Sequence, residues 1–454
     1  MILRRFALLA GSAAMLAGCV PTLQPLAQGS AVEAPPAWRT PIAATGTVEH
    51  DWWRGFGDPL LAELVERARA NNPDIAIAAA RVREARAQEA VSRSALVPGA
   101  SLSAPVVEAR SLNAFGTATE SLAAQPVFQA SYELDLFGRN RAQAEAAAAN
   151  LAASEAAEEA TLLAVSAATA SGYVTLLALD DRLDVLRATL ATRAEALRIA
   201  RDRSEVGYTS QLELRQAEAE YRAAEQQIPA LEAAVARQEN ALSQLVGETP
   251  RAIARSEGFA ALQRPPMPGV LPSELTRRRP DIAQAEYALA ASDARMRAAR
   301  AQFLPQLRLT ASAGAVISSA LDDPVGIWSL GGSILAPIFN GGALQGQFDA
   351  ATAQRDQAAF AYRRTVLTAF REVEDQLALI TRLDEQEQAL AAQRAAVADA
   401  LRHATNRYRA GYSPYLEQID AQRALLSVDL ALVQLRADRL TAFVALYQAL
   451  GGAP

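Results

Sequence analysis

The sequence predicts an α+β membrane protein built from a duplicated unit of long helical rods and strand hairpins. Three observations predict it: an internal repeat, proline-free stretches too long for globular helices, and period-two stretches beside them. Asn72-Pro73-Asp74-Ile75-Ala76 reappears as Arg279-Pro280-Asp281-Ile282-Ala283, an offset of 207 that also carries Pro98 onto Pro305, Leu102 onto Leu309 and Ala104 onto Ala311. Further on, Arg203-x-x-x-Gly207-Tyr208-Thr209 pairs with Arg407-x-x-x-Gly411-Tyr412-Ser413 at an offset of 204, which holds through Leu212/Leu416 and Ala217/Ala421 to Gly247/Gly451. Solenoid and propeller units run to about 20–50 residues, so a repeat four times that size is a duplicated half-molecule.

The chain begins Met1-Ile2-Leu3-Arg4-Arg5, followed by an apolar stretch from Phe6 to Met15. That stretch is shorter than the about 20 residues a spanning helix needs, and it fits a secretory signal over residues 1–18. Leu16-Ala17-Gly18-Cys19 resembles the lipobox of bacterial lipoproteins, in which the cysteine becomes lipid-modified. Two or more acyl chains, at about 0.8 kcal/mol per buried CH₂, give a stable anchor. Val20 follows where inner-membrane lipoproteins carry Asp, which implies the outer membrane. Cys19 is the single cysteine, so one copy holds no disulfide and no thiolate metal cluster. Residues 19–48, rich in Pro, Ala and Gln, read as a lipid-anchored tether. Loss of residues 1–18 would move the net charge from −6 to −8, and that acidity argues against a nucleic-acid partner. After the signal no apolar run reads as a spanning helix, so strands are expected to enter the membrane.

Two stretches, Arg139 to Val206 and Gln347 to Ala410, lack proline and are dense in Ala, Leu, Glu, Gln and Arg, strong helix formers. At 1.5 Å per residue each rod is about 100 Å long. In the second, Val366, Phe370, Val373, Leu377, Ile380, Leu383, Leu390, Val397, Leu401 and Tyr408 follow a coiled-coil period. Each rod stops at a glycine turn, Gly207 or Gly411, and the next helix is expected to start on a hydroxyl N-cap, Thr209 or Ser413, with Pro414 at the first helical position. Those second helices run to Gly247 and Gly451, the first bending at Pro229. A shorter helix opens each repeat, at 73–97 and 280–304, so each half supplies one continuous rod and one composite rod.

Between these helices Phe128, Ala130, Tyr132, Leu134 and Leu136 alternate with Gln129, Ser131, Glu133 and Asp135. In the second repeat Leu307, Leu309, Ala311 and Ala313 alternate with Gln306, Arg308, Thr310 and Ser312, and a partner strand runs from Trp328 to Phe339. Strand 100–111 is the least regular because Pro105 interrupts it. Two hairpins, about 100–137 and about 305–340, give four membrane-length strands. Hydrocarbon admits strands only in a closed barrel, and four strands do not close around a lumen. Three copies would supply twelve strands and twelve rods, a trimeric 12-stranded β-barrel on a 12-helix α-barrel.

The motifs Trp52-Trp53-x-x-Phe56-x-Asp58-Pro59-Leu60, Asn72-Pro73-Asp74, Leu136-Phe137-Gly138-Arg139, Arg278-Arg279-Pro280-Asp281-Ile282, Pro305, Pro337-Ile338-Phe339-Asn340-Gly341-Gly342 and Arg407-Tyr408-x-x-Gly411 span nearly all the chain in order. Together they resemble the TolC-like outer membrane factors, in particular the lipoprotein branch serving resistance-nodulation-division efflux systems. The resemblance implies a homotrimeric passive conduit for small toxic solutes or drugs, fed by an inner-membrane pump through a periplasmic adaptor, without catalysis or cofactor. Residues 49–71 and 248–277, with the chain's end, would form an equatorial girdle between repeat 1 (72–247) and repeat 2 (278–451).

By the same resemblance Glu417 and Asp420, six and nine positions after Gly411, would ring the closed periplasmic entrance. Tyr408 would hold the helices together there, with Glu213 as partner. Some relatives carry Arg where this chain has Ser413, so that lock is either absent or rebuilt. Glu133, Asp135 and Arg308 are expected in the barrel lumen, while Trp328, Tyr132 and Phe339 suit either interfacial belts or plain packing. His50 and His403 stand far apart, and no metal site is expected; no Walker loop, GxGxxG or nucleophile–base set occurs either. The alternative function is the outer-membrane outlet of a type I protein secretion system. A non-transporting coiled-coil scaffold is opposed by the strand alternation.

Overall fold

A computed structural model describes residues 20–22, 25–41, 45–46, 49–112, 114–256 and 258–452. The expected signal and Cys19 lie outside these described residues. Two compact units are present, one from the described parts of Met1–Val32, Ala80–Ala156 and Gln284–Thr365, the other from those of Glu33–Ala79, Ala157–Ala283 and Val366–Pro454.

In chain order, a 3-10 turn Trp52–Phe56 precedes α1 (Pro59–Asn71) and α2 (Pro73–Ser94). Then come β1 (Gly99–Ser103), β2 (Val106–Leu112), β3 (Ala118–Ala124) and β4 (Val127–Leu134). Helices α3 (Arg139–Glu205), α4 (Gln211–Glu225) and α5 (Gln227–Leu245) complete the first repeat. The second has α6 (Pro272–Arg278), α7 (Pro280–Ala301), β5 (Gln306–Ser318), β6 (Val325–Leu335), α8 (Ala343–Arg409) and α9 (Tyr415–Ala449).

All strands of the first unit lie in one antiparallel sheet. Proline sets its interruptions. The break expected at Pro105 separates β1 from β2, and Pro126 breaks the neighbouring strand directly opposite, where the Gln125 N–H donates to the Pro105 carbonyl at 3.0 Å. Proline has no N–H to give a ladder, so one hairpin is built of four short pieces where the second repeat uses two long strands. The result is a four-stranded meander with one edge at β1 and β2 and the other at β6.

Register sorts the side chains onto two faces. Leu102 stands opposite Phe128, Phe128 opposite Ala313 and Ala313 opposite Trp328, while Leu134, Leu307 and Ile334 make a second apolar row. The other face carries the rows Ser101–Gln129–Ser312–Ser329 and Glu133–Arg308–Ser333. The apolar face is open: Trp328 is 81% and Leu330 78% exposed, and Leu102, Phe128, Leu309 and Ile334 are exposed with them. A contiguous apolar surface of this kind marks a membrane or protein contact.

Helices α3 and α8 have 67 residues each. Contrary to the sequence reading, α3 contains an 18-residue stretch apolar enough to span a bilayer, but 56% of that stretch is buried within the chain. It is a core stretch. Along α8, Val366, Val373, Leu377, Ile380 and Leu383 of the expected seam are buried, whereas between 384 and 407 no residue is. The break expected at Pro229 falls at Gln226, because the proline ring clashes with the carbonyl four residues earlier.

The residues read as a tether are held down where they are described. In the first unit Arg300, Arg355 and Arg363 donate to the carbonyls of Pro21, Pro25 and Ala31. In the second, Trp38 Nε1 donates to the Val270 carbonyl at 2.6 Å, and the Thr40 N–H and hydroxyl donate to Glu374.

The second unit contains the same joint twice. After α5, Gly247 (φ +73°) turns back so that a Cβ there would stand 2.3 Å from the Asn71 carbonyl oxygen, and Asn72 Nδ2 donates to the Leu245 carbonyl at 2.8 Å. After α9, Gly451 (φ +87°) approaches the Arg278 carbonyl the same way, and Arg279 Nη1 donates to the Ala449 carbonyl at 2.9 Å. The end of each repeat's last helix is thus seated on the start of that repeat's first helix, α2 or α7, and only glycine fits both the conformation and the approach. Gly207 (φ +78°) has nothing within 4 Å of its missing Cβ. Gly207→Ala should therefore cost about 1 kcal/mol for the left-handed backbone alone. Gly247→Ala should cost on the order of 3 kcal/mol, and equal unfolding midpoints for the two variants would contradict the joint.

Candidate functional site

Both rods end in the same cap. The Tyr208 N–H donates to the Arg203 carbonyl at 2.8 Å and the Tyr412 N–H to the Arg407 carbonyl at 2.9 Å, across Gly207 and Gly411 in the left-handed conformation. The next helices start one residue later than the hydroxyl pattern suggests. Ser210, not Thr209, caps α4 by accepting from the Glu213 N–H, and Thr209 donates to the Ala200 carbonyl instead. In the second copy Pro414 occupies the cap position and the Ser413 hydroxyl is buried without a partner. Two adjacent hydroxyls, Thr209-Ser210, left the first boundary ambiguous by one residue.

A small core closes these tips: Ala200, Ala217, Tyr408, Tyr415 and Ile419, with Ala196, Leu197 and Leu214 against it. The Tyr408 hydroxyl donates to the Glu213 carboxylate. Its ring lies 5.1 Å from that of Tyr415, and the Arg203 guanidinium sits over it at 5.0 Å. Just deeper, Glu220 is buried to 7% exposure between two arginines. Arg193, itself 4% exposed, pairs with its Oε2 at 3.1 Å and donates to its backbone carbonyl at 2.7 Å, while Arg423 Nε donates to Oε1 at 2.9 Å. This bridge ties α3, α4 and α9 together. One signal in the sequence marks it: Glu220 sits between Ala217 and Ala224 on a buried stripe, where a carboxylate requires partners.

Glu417 and Asp420 point away from this core and are exposed. Glu417 lies 3.9 Å from Arg407 and Asp420 3.8 Å from Arg423, distances of loose ion pairs. Glu133 and Asp135 have a local occupation at the strand–helix corner. Glu133 accepts from Arg139 at 2.6 and 2.8 Å, and Asp135 accepts from the backbone N–H groups of Asn140 and Arg141 at 3.1 and 2.8 Å, neutralising the start of α3. Arg308, opposite Glu133 in register, is exposed on the polar face. No group of three metal-ligating side chains occurs among the described residues.

An open-edged, two-faced sheet fed by 67-residue helices that end in glycine turns defines an outer-membrane channel of the TolC type. The chain belongs to the outer membrane efflux protein family, whose model matches residues 64–248 and 271–452, one segment per repeat. It is 35% identical over 457 residues to the probable efflux pump outer membrane protein TtgC of Pseudomonas putida, covering 98% of this chain and 94% of that one. It is 34% identical over 457 residues to the pyoverdine export outer membrane protein OpmQ of Pseudomonas aeruginosa, covering 96% and 94%. The solved outer-membrane channel OprN superposes with a TM-score of 0.86 at 28% identity, covering 93% of this chain and 98% of that one. The protein is an outer-membrane efflux channel that extends into the periplasm.

The tip core carries a pH signature. Burial, and then the Glu220 carboxylate, push the Tyr415 phenol up to about 12 from 10.0, and burial followed by the bond to Glu213 raises Tyr408 as well. A folded pKa above the unfolded one stabilises fully below pH 10.0, and that contribution is lost as pH rises through about 12. The chain has no lysine, so tyrosines are the main side chains that titrate in this window. Tyr415→Phe should retain on the order of 1 kcal/mol more stability than the parent between about pH 9 and about pH 11.5. Denaturant midpoints at the two pH values check it, and identical losses would exclude Tyr415.

Proposed function

We propose that three copies close into one conduit, with a barrel of twelve strands in the outer membrane and twelve helical rods below it. The observation that carries this is the sheet: its apolar face is open and both its edges lack strand partners among the described residues. The length of α8 between 384 and 407 supports the same reading, since it pairs with α9 through Glu387 and Arg394 yet buries no residue, which leaves surface for a further helix. Cys19 carries the lipid that anchors each copy, and residues 49–71 and 248–277 form the girdle. Arg308, with what remains free of Glu133 and Asp135, faces the hydrated lumen.

The conduit is passive, with no catalysis and no cofactor, and takes small toxic organic solutes from a periplasmic adaptor and an inner-membrane resistance-nodulation-division pump. The names of TtgC, a probable efflux pump component, and OpmQ, a pyoverdine export component, favour small solutes over secreted proteins. The Gly207 and Gly411 turns form the periplasmic end. Tyr408 with Glu213 holds it closed, and the arginines at 193, 203 and 423 rebuild a lock that lacks one at 413. Glu417 and Asp420 from three copies make two acidic rings, and crowding of six carboxylates near one axis makes the entrance sensitive to cations and pH. Glu417→Ala combined with Asp420→Ala should raise single-channel conductance in planar bilayers severalfold. Unchanged conductance would remove both from the gate, and a monomer in non-denaturing detergent would remove the conduit itself.

A further inference from the structure

The second unit encloses a cavity of about 370 Å³ beside the Gly451 joint, a size typical of small-molecule sites. Its lining includes apolar Trp52, Leu162, Leu163 and Ala283. It also includes the cations Arg69, Arg277 and Arg278, with Glu159 as the one carboxylate among the described lining residues. Arg279, also at the wall, is committed to Asp281 and Glu372.

The remaining donors are not committed. Arg278 makes no hydrogen bond or ion pair among the described residues, although its Nη1 is buried. Trp53 is 3% exposed, and its indole N–H is buried without an acceptor. Arg69 stacks over the Trp53 ring at 5.2 Å and finds only the Ser166 hydroxyl at 3.3 Å, with no acid partner. Its burial without a counter-charge lowers its pKa. Buried donors that lack acceptors are costly and rare, and three guanidinium groups against one carboxylate leave the wall net positive.

We propose that this cavity binds a small organic anion, its carboxylate or phosphate received by Arg278, Arg69 and the Trp53 N–H and its apolar body lying against Leu162, Leu163 and Ala283. None of its lining residues belongs to the tip core or to a strand.

Calorimetric titration of the full-length protein in a nonionic detergent tests the proposal, with 2-naphthoate, its neutral amide and inorganic phosphate as probes. Naphthoate should bind saturably, one per chain, and at least about tenfold tighter than the amide or phosphate. Arg278→Gln should weaken it about tenfold, and Trp53→Phe, which keeps an aromatic ring, though a smaller one, and removes the N–H, about threefold. Glu159→Gln, an exposed substitution with little risk to folding, should tighten it about threefold. Absence of saturable naphthoate binding, an amide or phosphate that binds as well, or affinity indifferent to both Arg278→Gln and Glu159→Gln would overturn the assignment.

Discussion

Everything in this chain answers to one constraint: in hydrocarbon, each backbone N–H and C=O must find its partner within protein. The sheet satisfies its interior ladders over up to eleven residue pairs between β5 and β6 and leaves two edges unsatisfied. Its apolar side chains lie on one face with no helix over them, so water is the wrong solvent for that face and lipid the wrong solvent for those edges. The proposed edge-to-edge association of three copies resolves both. The stretch of α8 from 384 to 407, where no residue is buried, sets the same condition in the aqueous part, where the driving force is burial of apolar side chains rather than backbone pairing.

Duplication makes such an assembly economical, because one set of local solutions serves twice. The left-handed glycine that ends each rod recurs at 207 and 411 with the same six-residue return bond, and the joint recurs at 247 and 451. What differs between the copies is side-chain chemistry. Repeat 1 places the acids of the tip, half-buried Glu213 and buried Glu220 with Arg193 beside it, and repeat 2 supplies the further donors Tyr408 and Arg423. The tip core is therefore a contact between the repeats, and neither half completes it alone.

The rods, their glycine ends and the strand alternation were legible because each follows from a period or a backbone conformation that residue type dictates. Helix starts were not, since adjacent hydroxyls such as Thr209-Ser210 compete for the cap and tertiary packing chooses. Pro105 announced one break in the sheet, but the matching break at Pro126 depends on pairing, which a single strand's sequence does not encode. The Tyr408–Glu213 contact was accessible through family resemblance. The Glu220 bridge required knowing that α3 and α9 both reach the buried face of α4. The acids at 133 and 135 carried a period-two pattern that located their face but not Arg139 or the open N–H groups of α3, which lie one turn of chain away.

The two joints also differ in a way that fold alone does not explain. Asn71 and Asn72 seat the first joint with neutral amides, and Ala70 precedes them. At the matching positions the second joint has Arg277, Arg278 and Arg279, of which Arg279 alone makes the seating bond and draws on Asp281 and Glu372 to balance its charge. One donor suffices for the joint, as the first copy demonstrates. Arg277, which is exposed, and Arg278, half-buried with its Nη1 shielded, are then charges surplus to the joint, and a guanidinium N–H buried without an acceptor is a burden on stability unless something meets it. The wall they line already holds an unsatisfied indole N–H and a second uncompensated arginine. The asymmetry between otherwise equivalent joints is where a ligand has room to act without disturbing the symmetric machinery of the channel.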